Sequence, residues 1–446
     1  LFNRYGVLAT NLYNAGLFRV RQNFTMHGKE VLHPLEQEVK QEIECTVTGK
    51  NLGHPRRSMS YLFLEKLMRV TWNPDFFAGL PMQCAQNVLK QVCVDFKNWM
   101  ASCRQYKKDT SGYLGRPKMP HYKRKKSLSS FTFTNQDCYV LEKGNKNLLK
   151  FPAVRGHYLP IGPVSGRLKQ VEVKPYYGEF LVICIFETDE DCSSLPDGAS
   201  CGIDLGVDNT AALVSSNGRC VLYKGGALKS ANQWYNKQMA DCRSLAMKGH
   251  TADEAAKLGL LHTKKMQALS RRRNQFFHDT MHKIASDIVH FCLASGITTI
   301  VIGKNKNWKQ KSNIGHVNNQ NFVQIPLETL RWMITYKAES AGLIVVEQEE
   351  SYTSKASLVD GDEIPVYGKE TKNLVAFSGH RIKRGLYRTG SGQVINADLN
   401  GAGNILRKYI PDAFKDRKDF VFLDQILVRN YPCLNKRIPV KGIGAA

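Results

Sequence analysis

The stretch GIDLGVDNTAALV, residues 202–214, has the pattern of a strand, an aspartate, a turn containing glycine and a second strand. Such a hairpin holds the carboxylate of Asp204 at a strand end, where a divalent cation can reach it. An aspartate before glycine is also a common turn residue with no further role. The stretch therefore predicts a strand pair and makes Asp204 a candidate metal ligand.

A second acidic motif, INADLNGAGNI, occupies residues 395–405. Asp398 is followed by small residues, which allow a helix to pack closely against a sheet. The motif also fits an ordinary helix start capped by Asn396 or Asp398. Together and in this order, the two motifs predict an RNase H-like α/β nuclease core, in which several carboxylates hold two Mg²⁺ or Mn²⁺ ions.

The composition indicates a nucleic-acid partner. The 446 residues include 63 Lys and Arg against 39 Asp and Glu, a net charge of +24. Such an excess favours binding to phosphates, because neutralising them releases counterions. Membrane binding is the rival interpretation, but no apolar run approaches the roughly 20 residues that span a bilayer, and no signal peptide is visible. Twelve cysteines without a CxxC pair indicate reduced thiols in a cytoplasmic protein and argue against a cysteine zinc site.

Changes in hydrophobic periodicity predict an α+β, multidomain protein. Helical spacing comes first and ends in a basic linker. Period-two alternation between turns then predicts a small antiparallel β-barrel that binds oligonucleotides, and further on strands alternate with helices. The predicted domains are a helical lobe with the linker (1–126), the β-barrel (127–195), the two parts of the α/β nuclease domain (196–354 and 394–446, the latter with the C-terminal tail) and a small nucleic-acid-binding-like insertion (355–393).

Two groups of basic residues are candidate nucleic-acid contacts. The linker crowds its cations among aromatic residues, glycine and proline without a helical period, and a further run lies in a polar helical segment. A run of charges is often only a solvated face, but interleaved aromatic residues favour contact with nucleic acid. The candidates are Lys118, Tyr122, Lys123, Arg124, Lys125 and Lys126 in the linker and Arg271, Arg272 and Arg273 in the helical segment.

Motifs along most of the chain resemble the TnpB-type RNA-guided endonucleases, which are encoded by insertion sequences and related to type V CRISPR effectors. The matching segments are LYNA (12–15), GRPKMPHYK (115–123), SFTFT (130–134), GIDLGVDN (202–209), HKIA (282–285), YTSK (352–355) and NADLNGAGNI (396–405). The resemblance implies a two-lobed protein with a helical recognition lobe, a wedge β-barrel and a RuvC nuclease domain. It also implies a structured guide RNA, a double-stranded DNA target recognised beside a short adjacent motif, R-loop formation, and a monomer or dimer on one guide RNA.

The chain departs from the family at the second RuvC motif, which usually has a glutamate at the end of a buried strand. Here the strand at 299–302 ends in Gly303 and Lys304, without a carboxylate. The next predicted strand runs into EQEES, residues 347–351, so we expect a relocated ligand there. Period-two alternation lets only one of two consecutive glutamates face Asp204, and Glu350 is the first choice, ahead of Glu349.

Two other functions remain open from the sequence. If the acidic cluster is a solvated turn, the nuclease site is incomplete and the protein is a catalytically inactive RNA-guided DNA-binding repressor. A RuvC-type core also serves junction resolvases and transposases, although the segments before residue 196 disfavour them. The function that the sequence favours is RNA-guided DNA cleavage by two metal ions at Asp204, Glu350 and Asp398.

The family's zinc ribbon is a second departure. Residues 356–388 contain no cysteine, so no zinc is expected. Lys304, Trp308 and Lys309 lie beside the vacant glutamate position, where charge and base stacking would guide single-stranded DNA.

Overall fold

The computed structural model describes residues 1–152, 156, 158–188, 195–304, 324–366, 376–417 and 419–434. They form a mixed α+β protein with two compact units, residues 1–190 and 191–446. Within the described ranges, no helix is both long and apolar enough to cross a membrane.

The first unit begins with helices whose buried faces meet in one core. These helices are α1 (Phe2–Met26), α2 (Pro34–Lys50), α3 (Tyr61–Val70) and α4 (Met82–Lys108). Helix α2 starts at a capping box, in which the Glu36 carboxylate accepts a 3.0 Å hydrogen bond from the backbone N–H of His33. In α4 the apolar stripe that includes Val88, Val92 and Phe96 is buried, as helical periodicity requires.

The strands of the first unit form two three-stranded antiparallel sheets, β1-β5-β6 and β2-β3-β4, with no pairing between the sheets among the described residues. They are β1 (Phe131–Thr134), β2 (Tyr139–Lys143), β3 (Lys146–Lys150), β4 (Tyr158–Ile161), β5 (Arg167–Tyr176) and β6 (Glu179–Glu187). Phe131 and Phe133 lie opposite Val173 and Val171, and this buried face packs against Tyr5 of α1. These strands share one core with the helices, and the small antiparallel β-barrel stays a prediction.

The second unit is built on a six-stranded sheet with the order β11-β10-β7-β8-β9-β15. Its elements are β7 (Ala199–Asp204), β8 (Asn209–Ser215), β9 (Cys220–Lys224), α5 (Gly226–Ala246), α6 (Ala252–Lys257), α7 (Lys264–Ala294), β10 (Ile297–Lys304), α8 (Leu327–Ser340), β11 (Ile344–Glu349), β12 (His380–Lys383), β13 (Leu386–Arg388), β14 (Val394–Asn396), α9 (Ala397–Tyr409) and β15 (Leu427–Arg429). Strand β8 is antiparallel to β7, and β9 is antiparallel to β8. Strand β10 runs parallel to β7, and β11 runs parallel to β10.

Alternating side chains of this sheet enter two separate cores. Leu213 of β8 packs with α7 and α8, whereas its neighbour Ala212 packs with α9. Because side chains on both faces of this sheet are buried, the sequences of its strands are nearly continuous apolar runs. The sheet is thus covered on one face by α7 and α8 and on the other by α9.

Two aspartates hold the insertion between β11 and α9. Asp360 and Asp362 accept hydrogen bonds from both sides of the insertion, including one of 2.6 Å from the backbone N–H of Gly390 and one of 2.7 Å from that of Ser357. The donors are the backbone N–H groups of Ser357, Ser378, Gly390 and Ser391 and the hydroxyl groups of Ser357 and Ser378. This aspartate knot joins the loop after β11 to the strands that precede α9.

The aspartate knot leads to a first prediction, that carboxylates and not zinc hold the insertion. Asp360→Asn should lower the free energy of unfolding by about 2 kcal/mol. The substitution removes the charge of the acceptor and replaces one carboxylate oxygen by an NH₂ group, which cannot accept hydrogen bonds from the backbone N–H groups. Glu363→Gln, an exposed acid three residues further on, should change it little. Thermal unfolding measures both effects.

The same experiment with a strong zinc chelator should leave the unfolding temperature of the wild-type protein unchanged. Elemental analysis that finds about one zinc ion per chain would contradict this prediction.

Candidate active site

Asp204 lies half-buried at the end of β7, opposite Ala212 of β8. The turn that follows contains a second acid, Asp208, which forms ion pairs with Lys229 at 2.5 Å and with Arg384. Burial acts to raise the pKa of Asp208, but these two cations hold it below its usual value. Of the two acids in GIDLGVDN, Asp204 therefore lies at the edge of the sheet, whereas Asp208 lies in the turn and is paired with cations.

Asp398 lies in the first turn of α9, whose start is capped by Asn396. The Asn396 side chain accepts hydrogen bonds from the backbone N–H groups of Asp398 at 3.0 Å and Leu399 at 3.2 Å. The carboxylate of Asp398 is therefore not the cap. It accepts a hydrogen bond of 2.6 Å from the Asn209 amide and one of 3.4 Å from Arg381, two partners that sequence reasoning missed.

Close packing of α9 against β7 brings the two aspartates together. A Cβ atom at Gly202 would overlap the backbone carbonyl of Ala402, and a Cβ atom at Gly401 would lie 2.9 Å from Oδ2 of Asp204. The small residues of both motifs are thus required by the distance between the helix and the strand.

Glu350 directly follows β11 and reaches the position left open at the end of β10. The two strands are parallel, with Lys304 opposite Glu349, so they end at the same edge of the sheet. The carboxylate of Glu350 occupies the space that a side chain on Gly303 would fill. Burial, together with the nearby charge of Glu349, raises the pKa of Glu350 to about 7.

Glu349 is turned away from the two aspartates. Its carboxylate accepts hydrogen bonds of 2.6 Å from Lys408 and of 2.6 Å from the backbone N–H of Ser351. Burial acts to raise the pKa of Glu349, but these partners hold it below its usual value. Consecutive glutamates therefore point to different surroundings, as the alternation of an extended chain requires.

The three carboxylates of Asp204, Glu350 and Asp398 form one electrostatic cluster. Burial raises the pKa of Asp204 well above its usual value, the charges of Glu350 and Asp398 raise it further, and Arg381 opposes them. Within the described ranges, no three His, Cys, Asp or Glu side chains have the spacing of a formed metal site. The three carboxylates suit a divalent cation by their chemistry. Their oxygen atoms are the hard donors that Mg²⁺ prefers, and a bound cation would relieve the repulsion between their charges.

Two buried asparagines that the sequence analysis missed connect α9 to the segment after Glu350. The Asn400 amide donates to the carbonyl of Ala356 at 2.8 Å, and the Asn404 amide donates to the carbonyls of Thr353 at 3.0 Å and Ala356 at 2.7 Å. The signal was present in NADLNGAGN, because residues four apart share one face of a helix. The helix that carries Asp398 thus also fixes the chain beyond Glu350.

Two of the basic candidates have partners within the fold. The ammonium group of Lys123 donates to Ser129 at 3.0 Å and lies 3.9 Å from the centre of the Tyr13 ring, and burial lowers its pKa. The guanidinium group of Arg273 donates to Asn232 at 2.8 and 3.0 Å. Both cations take part in the packing of the fold, and their contact with nucleic acid stays a prediction.

The remaining basic candidates have mixed surroundings. Arg21 lies over the exposed ring of Tyr122 at 4.9 Å, Arg272 lies over Trp234 at 5.1 Å, and Lys304 forms an ion pair with Glu347. The exposed cations are Lys118, Arg124, Lys125, Lys126 and Arg272, whereas Arg271 is half-buried. Trp308 and Lys309 lie outside the described residues.

Comparison with known proteins finds two matching regions, the first of which begins at the end of the first unit. Residues 185–309 match the family described as a probable transposase, OrfB_IS605, and residues 328–405 match the Cas12f1-like TNB domain. A TnpB-like protein, ORF457 of Acidianus two-tailed virus, is 28% identical over 214 residues, which are 47% of this chain and 41% of that protein. These matches make the chain similar to TnpB-type proteins and to a domain of a Cas12f1-like effector over these regions. The chain spans about two fifths of the length of this curated relative.

Solved structures of type V effectors are also similar, at low identity. A Cas12f1–sgRNA–target DNA complex is 15% identical, with 91% of this chain and 93% of that chain covered and a TM-score of 0.32. C2c1 from Alicyclobacillus acidoterrestris, in complex with single-guide RNA, is 10% identical, with 90% and 70% covered and a TM-score of 0.32.

The carboxylate cluster leads to a prediction about stability and pH. The pKa of Glu350 rises from 4.5 to about 7 on folding, so its ionisation opposes folding, and stability is lost as the pH rises through this range. In a chelator, Glu350→Gln should therefore be more stable than the wild-type protein at pH 8, by up to about 3 kcal/mol, and should show no advantage at pH 4. Denaturant unfolding at several pH values measures the difference.

Glu349→Gln is the matched control, because the pKa of this glutamate is lowered. It should lower stability at pH 8. Added Mg²⁺ or Mn²⁺ should stabilise the wild-type protein more than Glu350→Gln. An advantage of Glu350→Gln that does not change with pH would contradict the prediction.

Proposed function

We propose that the protein is an RNA-guided DNA endonuclease with a single RuvC-type site formed by Asp204, Glu350 and Asp398. The position of Glu350 is the observation that carries the proposal. Its carboxylate fills the space beside Gly303, at the strand end where TnpB-type proteins usually have a glutamate, and its charge acts on Asp204. A solvated acidic turn would leave this carboxylate in water with an ordinary pKa.

The strand order supports an RNase H-like core. Three consecutive antiparallel strands, β7 to β9, are extended by the parallel strands β10 and β11 on the side of β7. Asp204 ends the strand in the middle of this arrangement, and α9 delivers Asp398 from one face of the sheet. Three distant segments of sequence therefore bring their acids to one edge, which suits a reaction that several carboxylates must share.

Bound Mg²⁺ or Mn²⁺ ions would supply an activated water and neutralise charge on the scissile phosphate. The protein's own groups must prepare for this. Glu350 must give up its proton, which its pKa of about 7 allows near neutral pH. Arg381 must release Asp398, while the hydrogen bond from Asn209 keeps that carboxylate oriented.

The guide RNA and the target DNA belong to the proposal through the family and the charge of the chain. The net charge of +24 suits binding to nucleic-acid backbones. In guided recognition, base pairing reads the sequence, while the protein contacts the backbone and the adjacent motif. The exposed cations Arg124, Lys125 and Lys126 are the proposed backbone contacts of the linker.

A catalytically inactive RNA-guided DNA-binding protein is the second candidate. It is favoured by the ion pair between Arg381 and Asp398, which partly neutralises the cluster without a metal ion. The three carboxylates also do not form a group with the arrangement of a metal site among the described residues. Cleavage assays decide between the two candidates.

The endonuclease proposal predicts how single substitutions affect cleavage. Asp204→Ala, Asp398→Ala and Glu350→Gln should each reduce cleavage of a guided target by at least about 100-fold, because each removes charge needed to hold the ions. Target binding should change little. Glu349→Gln, the adjacent control, should retain most of the activity, because this carboxylate points to Lys408. Gel assays of cleavage and of binding measure both properties.

Two outcomes would contradict the proposal. If Glu350→Gln and Glu349→Gln both cut at the wild-type rate, Glu350 is not a ligand. If the wild-type protein binds its guided target but does not cut it in Mg²⁺ or Mn²⁺, the inactive DNA-binding protein is the correct function.

The linker leads to a prediction about salt dependence. Replacing Arg124, Lys125 and Lys126 by alanine should weaken guide-RNA binding across sequences and flatten its dependence on salt, by roughly 0.7–0.9 log units of slope per lost phosphate contact. Lys123→Met should leave the slope unchanged and lower stability instead, because Lys123 packs on Tyr13. Filter binding from low to high salt measures the slope. An unchanged slope in the triple variant would show that these cations are only a solvated face.

A further inference from the structure

Asn209 holds one of the two carboxylate oxygens of Asp398. It is the first residue of β8 and is buried, and its Nδ2 donates a hydrogen bond of 2.6 Å to Oδ2 of Asp398. The amide cannot be turned the other way round, because its oxygen would then face a carboxylate oxygen and neither atom can donate. One oxygen of Asp398 is therefore taken by a neutral donor of the protein.

The other oxygen of Asp398 faces positive charge. Oδ1 lies 3.4 Å from the guanidinium group of Arg381. The charge of Arg381 also acts on Asp204, where it opposes burial and the neighbouring carboxylates, which raise the pKa of this aspartate. A cation beside Oδ1 is thus within electrostatic reach of both aspartates, whereas Oδ2 is turned to β8.

The surroundings of Asn209 leave its amide no other use. Among the described residues, its Oδ1 is buried and has no hydrogen-bond partner. The backbone at this point is held in place, because the carbonyl of the preceding Asp208 accepts a hydrogen bond of 2.8 Å from the backbone N–H of Gly225. An amide oxygen buried without a partner is unfavourable. What this amide contributes is therefore its hydrogen bond to Asp398.

Divalent cations differ in how they bind a carboxylate. Ca²⁺ accepts both oxygens of one carboxylate within a flexible shell of about six to eight oxygen ligands. Mg²⁺ requires an almost ideal octahedron, and the two oxygens of one carboxylate subtend an angle too narrow for it. A carboxylate that offers a single oxygen therefore suits Mg²⁺, and the similar octahedral Mn²⁺, better than Ca²⁺.

We propose that Asn209 is a specificity-determining residue for the metal ions, because it restricts Asp398 to binding them through Oδ1 and so favours Mg²⁺ and Mn²⁺ over Ca²⁺. The metal ion takes the place of Arg381 at Oδ1, while the hydrogen bond from Asn209 to Oδ2 is kept. Partners of this kind fix the orientation of a metal ligand. The inference rests on the proposed function, which makes Asp398 a ligand.

Metal binding without cleavage tests the inference. The full chain, without nucleic acid, is titrated with Mn²⁺ at pH 8, free Mn²⁺ is measured by electron paramagnetic resonance, and Mg²⁺ or Ca²⁺ is added as a competitor. Only the binding that Asp398→Ala removes is counted. Asn209→Leu should weaken Mg²⁺ and Mn²⁺ binding about tenfold, the lower end of the range for a hydrogen-bond partner of a ligand, and should leave Ca²⁺ binding within about threefold of the wild type.

Asn217→Ala is the matched control. It removes an amide just beyond the other end of β8, where Asn217 donates a hydrogen bond of 2.8 Å to the carbonyl of Ser295. This variant should bind all three ions as the wild-type protein does. Thermal unfolding shows whether each variant is folded.

A second measurement needs no variant. In a crystal structure of the wild-type protein with Mn²⁺, Asp398 should contact the ion through one oxygen and keep its hydrogen bond to Asn209 through the other. Two oxygens of Asp398 on the ion would overturn the inference.

The binding data overturn the inference if Asn209→Leu weakens all three ions by the same factor, which a purely structural role would produce, or weakens none of them. If Asp398→Ala removes no metal binding, the inference and the proposed function both fail. If the ion preference changes as expected but the wild-type protein does not cut its guided target, the inference stands and the proposed function fails.

Discussion

The carboxylate cluster depends on one close contact, between β7 and α9 at Gly202. A side chain at this position would overlap the backbone carbonyl of Ala402, so any larger residue would push the helix away from the sheet. Such a shift would move Asp398 away from Asp204. Overpacking at a contact of this kind costs about 1–3 kcal/mol when neighbours can adjust. Here the neighbour is helical backbone, which adjusts less readily than a side chain.

The same helix also determines where the third carboxylate lies. Asn400 and Asn404 donate hydrogen bonds to the carbonyls of the segment that follows Glu350. Lys408, one turn further on, holds Glu349 on the other side. One rigid helix therefore carries one acid, approaches a second and fixes the chain around the third. Placing reactive groups on rigid elements and supporting them with hydrogen bonds preserves the geometry that catalysis needs.

The cluster is unfavourable as an isolated set of charges. Burial and mutual repulsion raise the pKa values of both Asp204 and Glu350. Arg381 offsets part of the repulsion from one side, while Arg331 and Lys408 act on Glu350 from the other. Groups that lower the stability of the folded chain in this way are typical of functional sites, where a ligand or ion completes the charge balance. The aspartate knot and the two asparagines supply the compensating hydrogen bonds nearby.

The sequence predicted the hairpin and the helix start well because both follow from local rules. Alternation indicated that Glu349 and Glu350 would face different sides, and the structure has them so, although their roles in catalysis stay predictions. The sequence did not reveal which cations are used internally. Lys123 and Arg273 belong to basic runs, but they donate hydrogen bonds to Ser129 and Asn232. No motif in the sequence marks either of these residues as a partner. Charge runs identify a kind of partner, whereas only packing determines which side chains are available to it.

The glycine near the end of β10 provides the space for the carboxylate that follows the neighbouring strand β11. Strands β10 and β11 are parallel neighbours, so their ends open on the same edge of the sheet, and a carboxylate from either one can reach Asp204. The two sources exclude each other, however, because the carboxylate of Glu350 lies where a side chain at position 303 would begin. The observed position of the Glu350 carboxylate therefore requires a residue without a side chain at position 303. Gly303 is as much a part of this site as Glu350, since its missing side chain provides the space that the glutamate occupies.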